Sequence, residues 1–390
     1  MLGAGIWLKT PQYQMIITGS IVNNMRHAMR NMPLPLLALI LLISGAGFVT
    51  LYSAAGGEIG TWAMPQIVRF IIGFVGMIII AAIPIQFWLR YAYLIYAAVL
   101  VLLVIVEIMG HIGMGAQRWI NLGFITIQPS ELAKIATILA LARHLHNFPP
   151  LKNGRIFHLI IPAIITLIPV SLILKQPNLG TATLLCGIVA WVMFAAGLHR
   201  KYFIIAVVLV ACAAPIAWQS LHDYQKRRVA TFLSPDTDPL GAGYNISQSI
   251  IAISSGEITG KGLMQGSQTQ LNFLPEKQTD FIFSVLAEEF GFVGSFTLIL
   301  GYSCMILIII GIAYHSASLF GTLVAQGVAA MLCLHMLINI GMVMGMLPVV
   351  GIPLPLVSYG GSNMISILGA FGLAINVWVH RGEKLPQSNF

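Results

Sequence analysis

The sequence predicts an all-α polytopic membrane protein with about ten transmembrane helices and one large extracytoplasmic loop between the seventh and eighth. Three observations carry that expectation. Of 390 residues, 58% are hydrophobic and only 8% charged, and the mean hydropathy is +0.88, outside the range of a soluble globular domain. Apolar runs of about 17 to 25 residues, the length a bilayer requires, recur along the chain. The basic residues fall mostly in the short connections between those runs, so the formal net charge of +8 reports topology rather than a nucleic-acid patch.

Residues 1–33 are mixed and basic, with Lys9, Arg26 and Arg30, and lack the apolar core and cleavage site of a signal peptide. They read as a cytoplasmic tail. A transmembrane unit over 34–380 follows, with apolar runs near 34–54, 65–84, 88–109, 130–147, 157–174, 180–198, 202–220, 281–313, 321–346 and 360–380. The fourth is the least apolar. The eighth is overlong, which places its first turns inside protein at the outer leaflet. Connections carrying Arg90, then Arg143, Lys152 and Arg155, then Arg200 and Lys201 lie on one side, with Arg381 and Lys384 of a second tail, 381–390. By the positive-inside bias that side is cytoplasmic and holds both termini. Nearly all the acids fall on the other side, and Glu383 alone is clearly cytoplasmic. Any chemistry therefore faces outward.

The outer loop over 221–279 is too long to be a plain connection and reads as functional or separately ordered. It opens with Lys226, Arg227 and Arg228, runs through SPDTDPLGAGYN, and spaces Gly256, Gly260, Gly262 and Gly266 like turns. Short helices and turns lying on the membrane surface are expected there. Asp236 and Asp238 have a spacing that suits a divalent metal, but Pro235 and Pro239 fit a turn as well. No metal ligands are assigned, and for a cofactor the sequence offers only a divalent cation without a readable protein site. The four cysteines, Cys186, Cys212, Cys304 and Cys333, sit in apolar runs and read as small hydrophobes.

The stretch FLPEKQTDFIFSVLAEEFG, 273–291, gathers Glu276, Asp280, Glu288 and Glu289 with Lys277 at the mouth of the eighth apolar run. A carboxylate entering a bilayer is costly unless it faces a cavity or a partner, so it marks a functional site by default. Asp280 stands where polar Thr279 gives way to Phe281, Ile282 and Phe283. It is either a reactive group or the cap of a helix. Upstream, GMGAQRWINLGFITIQPSELAK, 113–134, sets a short alternating stretch before a helix opened by Pro129. Glu131 and Lys134 share one face of that helix, as an ion pair, as phosphate and pKa-tuning groups, or as both. Arg118 has the fork that grips a diphosphate. Lys175 in KQPNLGT and Arg69 in the second run read as lysine and arginine snorkelling to the interface. MLPVVGIPLPLVSYGGSN, 346–363, cannot be continuous helix, and such backbone is tolerated at membrane depth where it lines a cavity. We expect it beside Asp280. No GxxxxGK[ST], CxxC, GxSxG or HExxH occurs, which argues against ATP hydrolysis and nucleophilic hydrolysis.

Taken in order, GAQRWINLG, QPSELAK, KQPNLGT, DPLGAGYN, GKG, FLPEKQTDFIFSVLAEEFGFVG and GIPLPLVSYGGS resemble the SEDS family of shape, elongation, division and sporulation proteins, over about 34–382. TDFIF and DPLGAGYN resemble its elongation branch more than its division branch. The resemblance implies a ten-helix peptidoglycan glycosyltransferase of the bacterial inner membrane, polymerising the lipid-linked precursor lipid II beside a class B penicillin-binding protein, with Asp280 as the catalytic aspartate. Substrate-binding candidates are Arg118, Glu131, Lys134, Lys277, Glu288 and Glu289. Two other readings are a lipid-linked precursor flippase and a non-catalytic scaffold for a penicillin-binding protein. The chain departs from the family pattern at Asn178, where an aspartate is usual, and at Ser254 and Glu257, which replace glycines.

Overall fold

A computed structural model describes residues 28–109, 111–113, 116–121, 126–149, 159–220, 226, 230–232, 242–271 and 273–387. Each apolar run of the sequence carries a helix: α1 (Leu34–Ala54), α2 (Ala63–Ala82), α3 (Ile85–Met109), α4 (Pro129–Asn147), α5 (Ile160–Lys175), α6 (Leu179–Ala195), α7 (Arg200–Ser220), α10 (Ile282–Tyr314), α11 (Leu319–Val343) and α12 (Gly361–Val379). Among the described residues, α1, α2, α3, α10, α11 and α12 are long and apolar enough to cross a membrane. The outer loop adds α8 (Ala242–Ser255) and the single turn α9 (Ser267–Gln270). Asp236, Asp238, Arg227 and Arg228 lie outside the described residues.

Burial sorts the helices into shells. In α11 and α12, 72% and 78% of the most apolar stretch is buried, against 22% in α3, and most of α4 is buried as well, so α4, α11 and α12 form the inner layer. Membrane helices have little hydrophobic force between them, and close packing through small residues replaces it. Gly73 and Gly372 provide that between α2 and α12. A Cβ at Gly372 would stand 2.9 Å from both the Ile80 side chain and the Met77 carbonyl. Asn376 Nδ2 then donates to the carbonyls of Ile80 and Ala81, each at 3.1 Å, and of Ile83, closing the end of α2 that a following Pro84 leaves open.

Three local features differ from the sequence expectation. A small antiparallel sheet, β1 (His111–Gly113), β2 (Ala116–Asn121) and β3 (Thr126–Ile127), joins α3 to α4 in an otherwise helical chain. It is formed by the alternating AQRWIN stretch. The ninth run stops at Val343 rather than near 346. Gly345 at φ +73 takes the left-handed position after the helix, with Gly345 N donating to Met342 O and Met346 N to Gly341 O at 2.8 Å, the paired bonds that end helices on glycine. Finally, α8 is not a surface helix: Ser249 is fully buried, bonded to Ser284 Oγ on α10 at 2.6 Å and donating to Val343 O on α11 at 2.7 Å.

Candidate active site

The eighth apolar run is overlong because it is two helices joined at Gly291, whose φ of 63° and ψ of −158° break the α-helical path. An unbroken helix would bond the N–H groups of Phe292 and Val293 to the carbonyls of Glu288 and Glu289. Instead the outer loop satisfies all four groups. Phe292 N and Val293 N donate to the carbonyls of Glu257 and Ile258 at 2.9 and 3.1 Å, and the carbonyls of Glu288 and Glu289 accept from Lys261 N and Gly262 N, both at 3.0 Å. Buried backbone groups left unpaired would each be expensive, so loop and helix break depend on each other. The approach is too close for side chains. A Cβ at Gly260, itself at φ +81, would lie 2.1 Å from the Glu289 carbonyl oxygen. Glu257, one of the departures from the family pattern, adopts φ +48, a left-handed conformation that favours the usual glycine.

The two glutamates of this junction hold the loop with their side chains too. Glu288, fully buried, accepts from Lys261 Nζ at 2.8 Å, Gln268 N at 2.9 Å, and Thr269 N and Oγ1 at 3.1 and 2.9 Å. Glu289 accepts from Ser53 Oγ of α1, and Ser53 Oγ accepts in turn from Met264 N at 3.2 Å. Lys277 donates to Thr269 O at 2.8 Å. Burial pushes the Lys277 ammonium below its ordinary pKa, and the Glu289 charge opposes that shift. The sequence grouped Lys277, Glu288 and Glu289 as substrate-binding candidates. Their geometry is that of a clasp which fixes residues 257–270 over the start of α10.

Asp280 lies just before that start, one residue ahead of the N-cap position, which Phe281 holds without a side-chain capping bond. Three successive carbonyls tie its segment to the Pro/Gly stretch. Gln278 O accepts from Tyr359 N at 2.8 Å, Thr279 O from Ser358 Oγ at 2.7 Å, and Asp280 O from Asn339 Nδ2 at 3.0 Å. Asn339 also reaches Ile352 O at 2.7 Å, and Gln66 of α2 spans Ser358 O at 2.9 Å and Gly360 N at 3.2 Å. The aspartate is therefore presented by a hydrogen-bonded frame rather than by a free loop. Its Oδ2 faces Gly351, where an added Cβ would stand 3.3 Å away on a backbone at φ +70. Gly351→Ala is expected to lower activity at least about tenfold with a smaller loss of thermal stability, because strain at the left-handed position costs only about 1–2 kcal/mol while the methyl crowds the carboxylate. Activity within twofold of wild type, measured beside a melting curve, would separate Gly351 from the site.

Glu131 and Lys134 form the pair their spacing suggested. Lys134 Nζ lies 2.8 Å from both Glu131 oxygens, with Lys134 1% exposed. Its third partner was not anticipated: His335 Nε2 of α11, at 2.9 Å, with Nδ1 2.7 Å from Met331 O. Nδ1 then donates to the Met331 carbonyl and Nε2 accepts from the ammonium, which satisfies all three Lys134 donors. One signal pointed there: apart from Cys333, His335 is the sole titratable side chain in α11. Arg118 is placed elsewhere. Its Nε donates to Gln176 O at 3.0 Å and its Nη2 to Pro177 O, bracing the KQPNLGT turn. In that turn Asn178 Oδ1 accepts from Thr181 N at 3.3 Å as the N-cap of α6. Asparagine caps about as well as aspartate, so the departure at 178 keeps this local function.

Comparison with known proteins agrees with the motifs and the fold. Residues 30–383 match the model of the cell cycle protein family FtsW/RodA/SpoVE. The chain is 44% identical over 353 residues to the peptidoglycan glycosyltransferase MrdB of Escherichia coli K12, covering 90% of this chain and 94% of that one. Among solved structures it is similar to a chain from a study of how a peptidoglycan synthase complex coordinates polymerization and crosslinking, with TM-score 0.78, 33% identity and coverage of 90% and 98%. It is also similar to the rod shape-determining protein RodA of Thermus thermophilus, with TM-score 0.69, 29% identity and coverage of 90% and 98%. The chain belongs to the FtsW/RodA/SpoVE family of cell cycle proteins.

Proposed function

We propose that this chain is a peptidoglycan glycosyltransferase of cell elongation, which polymerises lipid II into glycan strands with Asp280 as general base. The observation that carries the mechanism is the frame around Asp280, in which three consecutive carbonyls are pinned by Tyr359, Ser358 and Asn339. In the reaction the acceptor's C4 hydroxyl attacks the donor's anomeric carbon. The sugar–diphosphate bond breaks with inversion, the new glycosidic bond forms, and the hydroxyl proton passes to the Asp280 carboxylate. A positioned base of this kind typically contributes about 10² to 10⁴ in rate. Glu288, Glu289 and Lys277 keep the loop closed over the site, while the Glu131–Lys134–His335 cluster supplies a fixed field nearby. Purified chain with a class B penicillin-binding protein as partner, given fluorescent lipid II in detergent with a transpeptidase inhibitor, should yield glycan strands. Lipid II movement without strands would favour a flippase, and neither would favour a scaffold.

The remaining placement follows from charge. In the inner membrane that the family resemblance implies, the positive-inside bias sets the transmembrane unit over 34–380 with the tails at 1–33 and 381–390 cytoplasmic and Asp280 facing the periplasm. In a background without the native cysteines, Asp238→Cys is expected to react with an impermeant thiol reagent from outside intact spheroplasts, and Lys152→Cys only after lysis. The reverse pattern would put Asp280 on the cytoplasmic face, where wall polymerisation does not occur.

A further inference from the structure

The leaving diphosphate of the proposed reaction needs cations, and the structure leaves the expected ones committed. Lys134 is bonded to Glu131 and His335, Lys277 to the Thr269 carbonyl, and Arg118 to the Gln176 and Pro177 carbonyls. Arg69, which reads from sequence as a snorkelling side chain, is held differently. It sits six residues into α2, about 9 Å below the helix start at 1.5 Å per residue. Its guanidinium lies over the Tyr359 ring at 4.6 Å from the centroid, and a Cβ at Gly361 would meet its Nε at 3.2 Å. Nη1 is enclosed without any hydrogen-bond partner, and Arg69 makes no ion pair among the described residues. Arg69 as a whole is only partly buried. An arginine at membrane depth normally pairs with a carboxylate or backbone carbonyls, and stacking on one ring offsets only part of the cost of its charge.

We propose that Arg69, oriented by Tyr359, is a phosphoryl-binding residue for the diphosphate of the polyprenyl-linked substrate, a role that rests on the glycosyltransferase reading above. Tyr359 connects the two halves of the site. Its ring carries the guanidinium, and its backbone N–H holds Gln278 O, two residues before Asp280. Gln66, one turn earlier on α2, pins Ser358 and Gly360 on either side of Tyr359. The open edge of a planar fork held against an aromatic face is preorganised for a bidentate phosphate contact, and the anion supplies the countercharge the fold omits.

The test uses the purified full chain in detergent, titrated with polyprenyl diphosphate, polyprenol of the same length and phosphatidylglycerol. Arg69→Gln is expected to weaken polyprenyl diphosphate binding about tenfold or more, with Arg69→Lys recovering part of it, since an ammonium keeps the charge but loses the fork. Polyprenol should bind all three proteins alike, and the ligand-free melting temperature of Arg69→Gln should not fall, because no protein partner is left behind. Should Arg69→Gln fail to fold, Tyr359→Leu, which keeps the charge and removes its platform, is expected to show an intermediate loss for the diphosphate alone. Diphosphate binding by Arg69→Gln within twofold of wild type would overturn the proposal. So would phosphatidylglycerol binding as tightly as the diphosphate and depending equally on Arg69, which would mark a headgroup site. Failure of the wild type to make strands, with Arg69-dependent diphosphate binding intact, would remove the polymerase reading and leave this site standing.

Discussion

Asp280→Asn is expected to lose about 10² to 10⁴ of the strand-synthesis rate while melting and binding its partner like the wild type. The substitution keeps the side-chain shape and removes the negative charge, and with it the ability to accept a proton. The frame around residue 280 is built from backbone carbonyls, with Asn339, Ser358 and Tyr359 as donors, so it does not depend on the carboxylate. Asp280→Ala should behave alike, since Asp280 is only partly buried and its loss opens no sealed cavity. A loss of activity matched by a loss of stability would indicate instead that the carboxylate supports the junction between α10 and the 351–360 segment.

The second large effect concerns the buried charges on α4. Glu131→Gln or Lys134→Met alone leaves a charge inside the protein without its partner, which typically costs about 3 to 5 kcal/mol. The double change removes both charges and should recover much of that stability. Recovery stays incomplete, because His335 Nε2 then loses its donor, and an unsatisfied buried acceptor costs about 1–3 kcal/mol. Activity is expected to remain low in the double variant, as the fixed dipole of the Glu131–Lys134 pair is gone. Melting curves and strand synthesis on the same four proteins separate the two contributions. A double variant that regains activity together with stability would make the cluster purely structural.

Much of the fold was legible because a bilayer imposes length and polarity on the sequence. The runs near 34–54 and 202–220 became Leu34–Ala54 and Arg200–Ser220 almost unchanged. Asp280 and the Glu131–Lys134 pair were legible for a related reason: ionised groups in apolar surroundings are rare enough to stand out. Long-range pairing was not. Gly256 and Gly260 read as turn glycines and Gly291 as part of an apolar run, yet together they let two backbones touch across a helix break, which spacing alone does not disclose. Glu288 and Glu289 carried the same acidic signal as Asp280, and only the contacts to Lys261, Thr269 and Ser53 show that they hold the outer loop. His335 was passed over and Arg69 read as a snorkelling side chain because their partners, Lys134 and Tyr359, lie about 200 and 290 residues away in sequence.

The proposed mechanism turns on proton removal by Asp280 in the bond-forming step. A single-turnover measurement tests it most directly: donor lipid labelled on its sugar, saturating acceptor, transpeptidase inhibited, and the first glycosidic bond timed in wild type and in Asp280→Asn at equal bound lipid. Bond formation slowed about a hundredfold or more in Asp280→Asn, with lipid occupancy unchanged, is the predicted result. Equal single-turnover rates in the two proteins would contradict it.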